Sequence, residues 1–278
     1  QDIIYNENSN SRGSKFMDKS SIAFTGTIPE YYDKYFVPII FEEYAENLAG
    51  RVSIPDGGNV LEIAAGTGVA TKHLRDKLSP NVQLVITDIN PSMLEKAKSK
   101  FSDDENMIFQ KEDASNLSFA DNSFDTIISQ FSMMFFPDKL SSLIEAKRVL
   151  KLGGKYIFNI WDSFEHNHVA ETIHETVLRL SPNNPIKFFD VPYSYYQIDE
   201  IKRILYEAGF GDITISVLPR VSKAPDAKTV AKAFIEGSPV SLQIIDYEGL
   251  ELADAVNKVE RAISKKYGTG EIEGKMQA

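Results

Sequence analysis

The sequence contains no cysteine, one tryptophan and four histidines among 278 residues. The absence of cysteine excludes disulfides, thiolate zinc sites and a cysteine nucleophile. The sequence also lacks any apolar run of about eighteen residues, and it does not begin with the basic-then-apolar order of a secretory signal. It therefore predicts neither stable membrane insertion nor export, and it indicates a cytoplasmic protein.

Basic residues are outnumbered by acidic ones, 30 against 40, which gives a formal net charge of −10. This charge repels a phosphate backbone at long range, and the lysines and arginines are scattered rather than clustered. The balance argues against a nucleic-acid partner and favours a small-molecule substrate. Nothing in the sequence indicates an oligomeric state.

Hydrophobic residues make up 42% of the chain, enough to bury the core of one α/β domain with an added cap. The pattern divides the chain into five parts. They are a polar leader (1–22), a helical lead-in (23–58), a ligand-binding core (59–161), a cap (162–196), and the remainder of the core with C-terminal helices (197–278).

Short apolar runs alternate with amphipathic stretches through the predicted core. The runs predict strands at 59–63, 84–87, 107–110, 124–129 and 155–161. The stretches between them predict helices at 69–78, 91–100 and 138–150, the last stopped by Gly153 and Gly154. Strands that alternate with helices imply a mostly parallel sheet covered on both faces, with ligands at the carboxyl ends of its strands.

The flanking regions carry weaker patterns. In the lead-in, helical spacing of aromatic residues is interrupted by Pro38, which predicts a helix break or a second helix start there. Farther along, a helix over 198–205 is capped by Gly209, a strand is predicted at 212–218, and a long helix stops at Gly268.

The strongest local signal is Val-Leu-Glu-Ile-Ala-Ala-Gly-Thr-Gly at 60–68, an apolar strand that ends in a turn of small residues and opens into a helix. Such a turn allows close backbone approach, and the helix N-terminus adds N–H groups and positive potential. Glu62, inside the strand, disfavours a phosphate there and suits a ligand with an ammonium group.

Two more acids follow the next predicted strands. Asp88 is placed to accept hydrogen bonds from both ribose hydroxyls, a role known for this position in nucleoside-binding sheets. Asp113 is placed to accept from an adenine amine, with Ile89 and Met93 on the two faces of the ring. A single Asp after a strand is usually a turn former, but acids in register on successive strands indicate a nucleoside site.

Taken together, these motifs resemble the class I S-adenosylmethionine-dependent methyltransferases, in the group related to the ubiquinone and menaquinone biosynthesis C-methyltransferases. The similarity also rests on 91–94 (Pro-Ser-Met-Leu), 112–114 (Glu-Asp-Ala), 124–125 (Phe-Asp) and 148–154 (Arg-Val-Leu-Lys-Leu-Gly-Gly). It implies an α/β, Rossmann-like, mostly parallel sheet of seven strands with a helical lead-in and a helical cap. It also implies that the seventh strand is antiparallel and that residues 275–278 are only its beginning.

The resemblance also implies the cofactor, S-adenosylmethionine, with S-adenosylhomocysteine as product, and its site. The methionine part lies at Ala64, Ala65, Gly66, Thr67 and Gly68, the ribose at Asp88, and the adenine at Asp113 and Ala114. Gln130 and Phe131 lie beside the sulfonium. The family usually has glycine where this chain has Ala64, which adds a methyl group at the tightest part of the turn.

Aromatic and apolar residues outside these motifs are candidates for the methyl acceptor's pocket: Tyr32, Met134, Trp161, Phe188 and Tyr193. These residues are also compatible with ordinary packing, which is favoured for Tyr32. His166, His168 and His174 lie close together, but their spacing does not fit a metal motif, so no metal is predicted. No catalytic residue is assigned, because positioning can supply much of the rate of an in-line methyl transfer.

Two rival functions remain open. An NAD-dependent oxidoreductase on the same sheet would have three glycines in the first turn and no charge before it, unlike Ala64 and Glu62. A non-catalytic adenosyl-ligand sensor or partner subunit would retain the fold without turnover.

Overall fold

A computed structural model describes residues 24–102 and 106–278; the predicted leader 1–22 lies outside them. The lead-in is one continuous helical segment, made of α1 (Ile28–Tyr31), a π-helix (Tyr32–Phe41) and α2 (Glu42–Gly50). Pro38 lies inside the π-helix, so the predicted break there is wrong. A proline ring clashes with the carbonyl four residues earlier in an α-helix, and the wider π turns relieve that clash.

Five parallel strands form the central sheet: β1 (Asn59–Glu62), β2 (Gln83–Asp88), β3 (Met107–Lys111), β4 (Phe124–Gln130) and β5 (Leu150–Asn159). The helices between them are α3 (Val69–Lys77), α4 (Pro91–Lys98) and α5 (Lys139–Val149). The strand order is β3-β2-β1-β4-β5, so the chain reverses direction across the sheet between β1 and β4. Parallel α/β sheets open a crevice at this point, beyond the carboxyl ends of the strands.

The rest of the described chain is mainly helical. It contains α6 (His168–Leu180), α7 (Ile198–Glu207), α8 (Ala227–Glu236), α9 (Val240–Ile245) and α10 (Leu252–Tyr267). The helices predicted around 198–205 and before Gly268 are present, whereas α8 and α9 were not predicted. The described residues include no helix that combines the length and apolar character needed to cross a membrane.

Two further strands, β6 (Pro219–Ala224) and β7 (Ile272–Gln277), pair antiparallel in a sheet of their own. The α/β Rossmann-like class is confirmed, but a single seven-stranded sheet is not, because the described strands form sheets of five and two. The strand predicted at 212–218 begins instead at Pro219, where the pairing with β7 starts. The last strand begins at Ile272 rather than at Lys275.

Gly153 and Gly154 lie within β5, so the prediction that they end α5 is wrong: α5 ends at Val149. Phe124 pairs with Leu150 while Thr126 pairs with Lys155, so the segment between them bulges out of the ladder. A Cβ on Gly154 would lie 2.8 Å from the Asp125 carbonyl oxygen, and only glycine fits that approach.

Gly68 sets the packing of α3 against α4. Its φ is +80°, and a Cβ there would lie 3.0 Å from the Cβ and 3.3 Å from the Cα of Ala97. We expect Gly68→Ala to lower the free energy of unfolding by about 2 to 3 kcal/mol, because left-handed strain adds to overpacking. Urea denaturation measures this loss.

Gly57 provides the matched control. Its φ is +72°, but no atom of the described part of the chain lies within 4 Å of its added Cβ, so Gly57→Ala should lower the free energy of unfolding by only about 1 kcal/mol. Equal losses in the two variants would contradict a close α3–α4 contact as the reason for glycine at 68.

Candidate functional site

A cavity of about 260 Å³ lies at the carboxyl ends of β1 to β4, where the sheet order reverses. The lead-in helix and residues of the predicted cap complete its walls. Nine of the predicted cofactor residues line it: Ala64, Gly66, Asp88, Ile89, Met93, Asp113, Ala114, Gln130 and Phe131. Four of the predicted substrate residues do so too: Tyr32, Trp161, Phe188 and Tyr193.

Five predicted site residues do not line the cavity: Glu62, Ala65, Thr67, Gly68 and Met134. Glu62 lies beneath the turn, 2% exposed, where its carboxylate accepts a 2.5 Å hydrogen bond from the Thr71 hydroxyl of α3. Burial raises the pKa of Glu62 to about 8. The Glu62 side chain therefore joins β1 to α3 next to the turn and does not face the cavity.

The turn itself is held in left-handed backbone conformations, with φ of +55° at Ala64, +57° at Gly66 and +80° at Gly68. The Ala65 N–H donates to the Thr87 carbonyl oxygen at 2.9 Å, which ties the turn to the end of β2. Glycine adopts such conformations freely, but alanine is strained by its Cβ.

We therefore expect Ala64→Gly to raise the free energy of unfolding by about 1 kcal/mol. The measurement is chemical denaturation, with Asn122→Gly as the control. Asn122 has the same φ of +55°, but asparagine tolerates that conformation, so its replacement should change stability by less. A gain at Asn122 and none at Ala64 would mean that the turn at 64 is not strained.

Asp88 joins the turn to the end of β2. Its two carboxylate oxygens accept 2.8 Å hydrogen bonds, one from the Gly66 N–H and one from the Asn90 N–H. The side chain is 6% exposed and faces the cavity, and burial raises its pKa. A carboxylate offers about four acceptor positions, so each oxygen retains one for a ligand hydroxyl.

The end of β3 adds two acids. Asp113 accepts from the N–H and the hydroxyl of Ser115, at 2.9 and 2.7 Å, which fixes the loop. Glu112 also lines the cavity and accepts from the Ser118 N–H at 3.0 Å. The sequence motif contained Glu112, but nothing in the pattern distinguished it from a surface acid.

Gln130 connects β4 to the lead-in. Its amide nitrogen donates to the Phe41 carbonyl oxygen at 3.0 Å, while its amide oxygen is buried without a hydrogen-bond partner among the described residues. A buried acceptor without a donor is unfavourable. This oxygen is therefore available to a donor on a ligand in the cavity.

Aromatic rings form the opposite wall. Phe131 stacks on Trp161 at 3.9 Å with an interplanar angle of 9°, and Trp161 in turn packs against Tyr193 at 6.0 Å. Phe41 lies 5.5 Å from Phe131 and 5.9 Å from Trp161. We call this group of rings, with Phe188 and Phe189, the aromatic wall.

The π-helix forms another side of the cavity, which is lined by Tyr32, Phe36, Ile40 and Phe41. Burial, with the nearby negative charge of Asp88, raises the pKa of Tyr32 above its usual value, so its hydroxyl stays protonated. Tyr32 was selected from the sequence, whereas Phe41 was missed, because aromatic residues at helical spacing are equally typical of a core.

The histidines lie elsewhere. His166 contacts Lys275, His168 contacts the Glu165 carbonyl, and His174 pairs with Asp190 at 3.1 Å. None of them lines the cavity. Within residues 24–102 and 106–278, no group of three or more potential metal-ligating side chains comes together.

A family model described as a methyltransferase domain matches residues 61–158, which run from β1 to β5. The chain is 36% identical over 121 residues to a ubiquinone/menaquinone biosynthesis C-methyltransferase of Saccharophagus degradans, covering 42% of this chain and 47% of that protein. It is 27% identical over 206 residues to a demethylmenaquinone methyltransferase of Staphylococcus epidermidis, covering 68% and 83%. The match thus spans about half the length of the first relative.

Among solved structures, the fold is similar to that of a protein from Methanococcus maripaludis described as a putative S-adenosyl-L-methionine-dependent methyltransferase. The TM-score is 0.54 and the identity 22%, with 74% of this chain and 92% of that chain covered. At this identity the likeness concerns the fold.

Proposed function

We propose that the protein transfers the methyl group of S-adenosylmethionine to a small molecule, by means of the part of the chain that the methyltransferase-domain model matches, residues 61–158. The relatives named as C-methyltransferases favour carbon as the methylated atom. The bound cofactor supplies a methyl group already activated by the sulfonium. The protein would bind the cofactor and the acceptor, orient them towards each other and exclude water from the cavity.

One observation carries the proposal: a single cavity holds a buried carboxylate with spare acceptor positions and a buried amide oxygen that has no donor among the described residues. Asp88 would accept from the two ribose hydroxyls. Gln130, expected with Phe131 beside the sulfonium, would accept from the ammonium group of the same methionine part. These two groups fit complementary ends of S-adenosylmethionine.

The remaining cofactor contacts are proposed by position. Ala64 and Gly66 line the cavity between Asp88 and Gln130 in the site, as a turn along the methionine chain would. Asp113 and Ala114 would meet the adenine, with Ile89 and Met93 against its faces. Ala65, Thr67 and Gly68 would act indirectly, by shaping the turn.

The acceptor would lie against the aromatic wall, and residues 162–196 would act as its cap. Phe188 and Tyr193, both from this segment, line the cavity, which supports that role. A nucleic-acid substrate is disfavoured by the charge of −10. The cytoplasmic location stays a prediction from the sequence.

Isothermal titration with S-adenosylmethionine, S-adenosylhomocysteine and NAD tests the proposal. We expect both adenosyl ligands to bind and NAD not to. Binding of NAD alone, or of none of the three by a folded protein, would overturn the proposed function. Binding without methyl release to any acceptor would favour the non-catalytic rival.

A further inference from the structure

We propose that Asn159 is a positioning residue for the site: its side chain holds Phe131 in a left-handed backbone conformation, which fixes the Phe131 ring and the Gln130 amide at the cavity. The inference rests on the proposed function and adds a residue that acts on the ligand only through its neighbours. Asn159 is the last residue of β5 and does not itself line the cavity, whereas Phe131 and Gln130 do.

Phe131 has an unfavourable backbone conformation. Its φ is +49°, in the left-handed region that a residue with a bulky side chain rarely adopts. The residue is also almost completely buried, with 6% of its surface exposed. Such conformations persist only where the surrounding contacts hold them, and they are concentrated at functional sites. The contacts of Phe131 therefore indicate which part of the site must be kept in place.

Asn159 provides two of those contacts to a single N–H group. The Phe131 N–H donates to the Asn159 backbone oxygen at 3.1 Å and to its side-chain oxygen Oδ1 at 3.0 Å. The first bond extends the β4–β5 ladder, in which Gln130 pairs with Asn159, and any residue at position 159 can accept it. The second bond requires a short side chain with an acceptor, so it is the specific contribution of asparagine.

The left-handed conformation at 131 determines where the Phe131 ring lies. The ring stacks on Trp161 with 3.9 Å between centroids, and it meets Tyr44 edge to face at 5.3 Å. A rotation of the backbone at 131 into an ordinary conformation would redirect the Cα–Cβ bond and separate the stacked rings. Because Phe131 and Trp161 both line the cavity, the aromatic wall would then change shape.

The same conformation places the residues on either side of Phe131. Gln130 precedes it and presents the amide oxygen that is proposed to accept from the cofactor's ammonium group. Ser132 follows it, lines the cavity and contacts the Ser129 hydroxyl. A change of backbone direction at 131 would therefore move a proposed cofactor contact as well as the wall. Asn159, although outside the cavity, should thus affect ligand affinity.

Two substitutions at position 159 test this role. Asn159→Leu keeps the branched shape of the side chain but removes the acceptor, whereas Asn159→Asp keeps an acceptor. We expect Asn159→Leu to weaken the binding of S-adenosylhomocysteine by about tenfold, and Asn159→Asp to stay within about threefold of the unaltered protein. S-adenosylhomocysteine has no net charge, so it responds little to the added carboxylate. Isothermal titration measures the affinities, and equal weakening in both variants would overturn the inference.

Asn106→Leu is the matched control. Asn106 immediately precedes β3, at the end of the sheet away from the cavity, and its amide donates to the Pro80 carbonyl oxygen at 3.0 Å. The same substitution therefore removes a side-chain hydrogen bond far from the proposed ligand site, and it should leave the affinity unchanged. A loss as large as that of Asn159→Leu would attribute both losses to general destabilisation and contradict a positioning role.

A spectroscopic measurement separates positioning from stability. Trp161 is the only tryptophan of the chain, so tryptophan fluorescence reports on the ring that stacks on Phe131. Without ligand, the emission maximum of Asn159→Leu should move to longer wavelength, because a loosened stack admits water, and that of Asn159→Asp should not move. A purely structural role would lower the urea midpoint of Asn159→Leu but leave the emission and the affinity of the folded protein unaltered. That result would overturn the inference.

The two proposals fail separately. If the unaltered protein does not bind S-adenosylhomocysteine, the proposed function is contradicted, and the fluorescence comparison still tests whether Asn159 positions Phe131. If the unaltered protein binds this ligand and a folded Asn159→Leu variant binds it equally well, the proposed function stands and only the role of Asn159 is contradicted.

Discussion

Asp88→Asn is expected to weaken S-adenosylmethionine binding by about 100-fold. The substitution removes the negative charge and one of the two oxygens proposed to accept the ribose hydroxyls. Hydrogen bonds to a charged group contribute about 1.5 to 3 kcal/mol each, and about 1.4 kcal/mol corresponds to a tenfold change in affinity. Isothermal titration of both proteins measures the difference.

The control for Asp88→Asn is Asp76→Asn, an exposed carboxylate on α3, which should leave the affinity unchanged. Because Asp88 also accepts from the Gly66 and Asn90 N–H groups, the variant's circular dichroism and thermal unfolding must be recorded too. A folded Asp88→Asn protein with unaltered affinity would rule out the ribose assignment.

Glu62→Gln is expected to stabilise the protein increasingly as the pH rises. Below about pH 4.5 the Glu62 carboxyl is protonated in both the folded and the unfolded chain, so it adds no pH dependence. Between there and pH 8 the unfolded chain releases this proton, whereas the buried side chain retains it. The folded state therefore loses stability relative to the unfolded state as the pH rises through this range.

Glutamine removes that penalty and can still accept from the Thr71 hydroxyl. The difference in unfolding free energy between variant and unaltered protein should grow from near zero at low pH to at most about 5 kcal/mol above pH 8. Urea denaturation across this pH range provides the measurement. Exposed Glu46 on α2 provides the control, and Glu46→Gln should show no such trend.

If the Glu62→Gln curve runs parallel to that of the unaltered protein, then Glu62 is ionised in the folded state. In that case its carboxylate would be available to pair with a cation, which is the role the sequence alone suggested. The experiment thus distinguishes a supporting acid beneath the turn from a ligand-facing one.

The parallel sheet was predictable from the sequence because its signals are local. The strands at β1, β2, β3 and β4 are short apolar runs bounded by turns, and their predicted limits lie within a residue or two of those observed. The limits of a strand were predicted wrongly where they depend on pairing with a strand far away in the sequence. The segment 212–218 reads as a strand, yet the ladder with β7 starts at Pro219.

The acids at the strand ends could likewise be selected from the sequence, because the carboxyl ends of parallel strands meet at one edge. Asp88 and Asp113 both line the cavity for that reason. The orientation of the Glu62 side chain could not be predicted from the sequence, because it depends on the position of Thr71, on α3, next to β1.

The sequence by itself thus determined the α/β alternation, the small-residue turn and the carboxylates around it, since each follows from neighbours a few residues apart. Only the tertiary structure decided which aromatic residues face the cavity and that Gln130 presents an oxygen there that no donor in residues 24–102 or 106–278 reaches. Those features depend on Phe41 and Phe131 meeting from elements about 90 residues apart, and on a π-helix that accommodates Pro38. A contact between two distant segments produces no periodic pattern in the sequence of either segment.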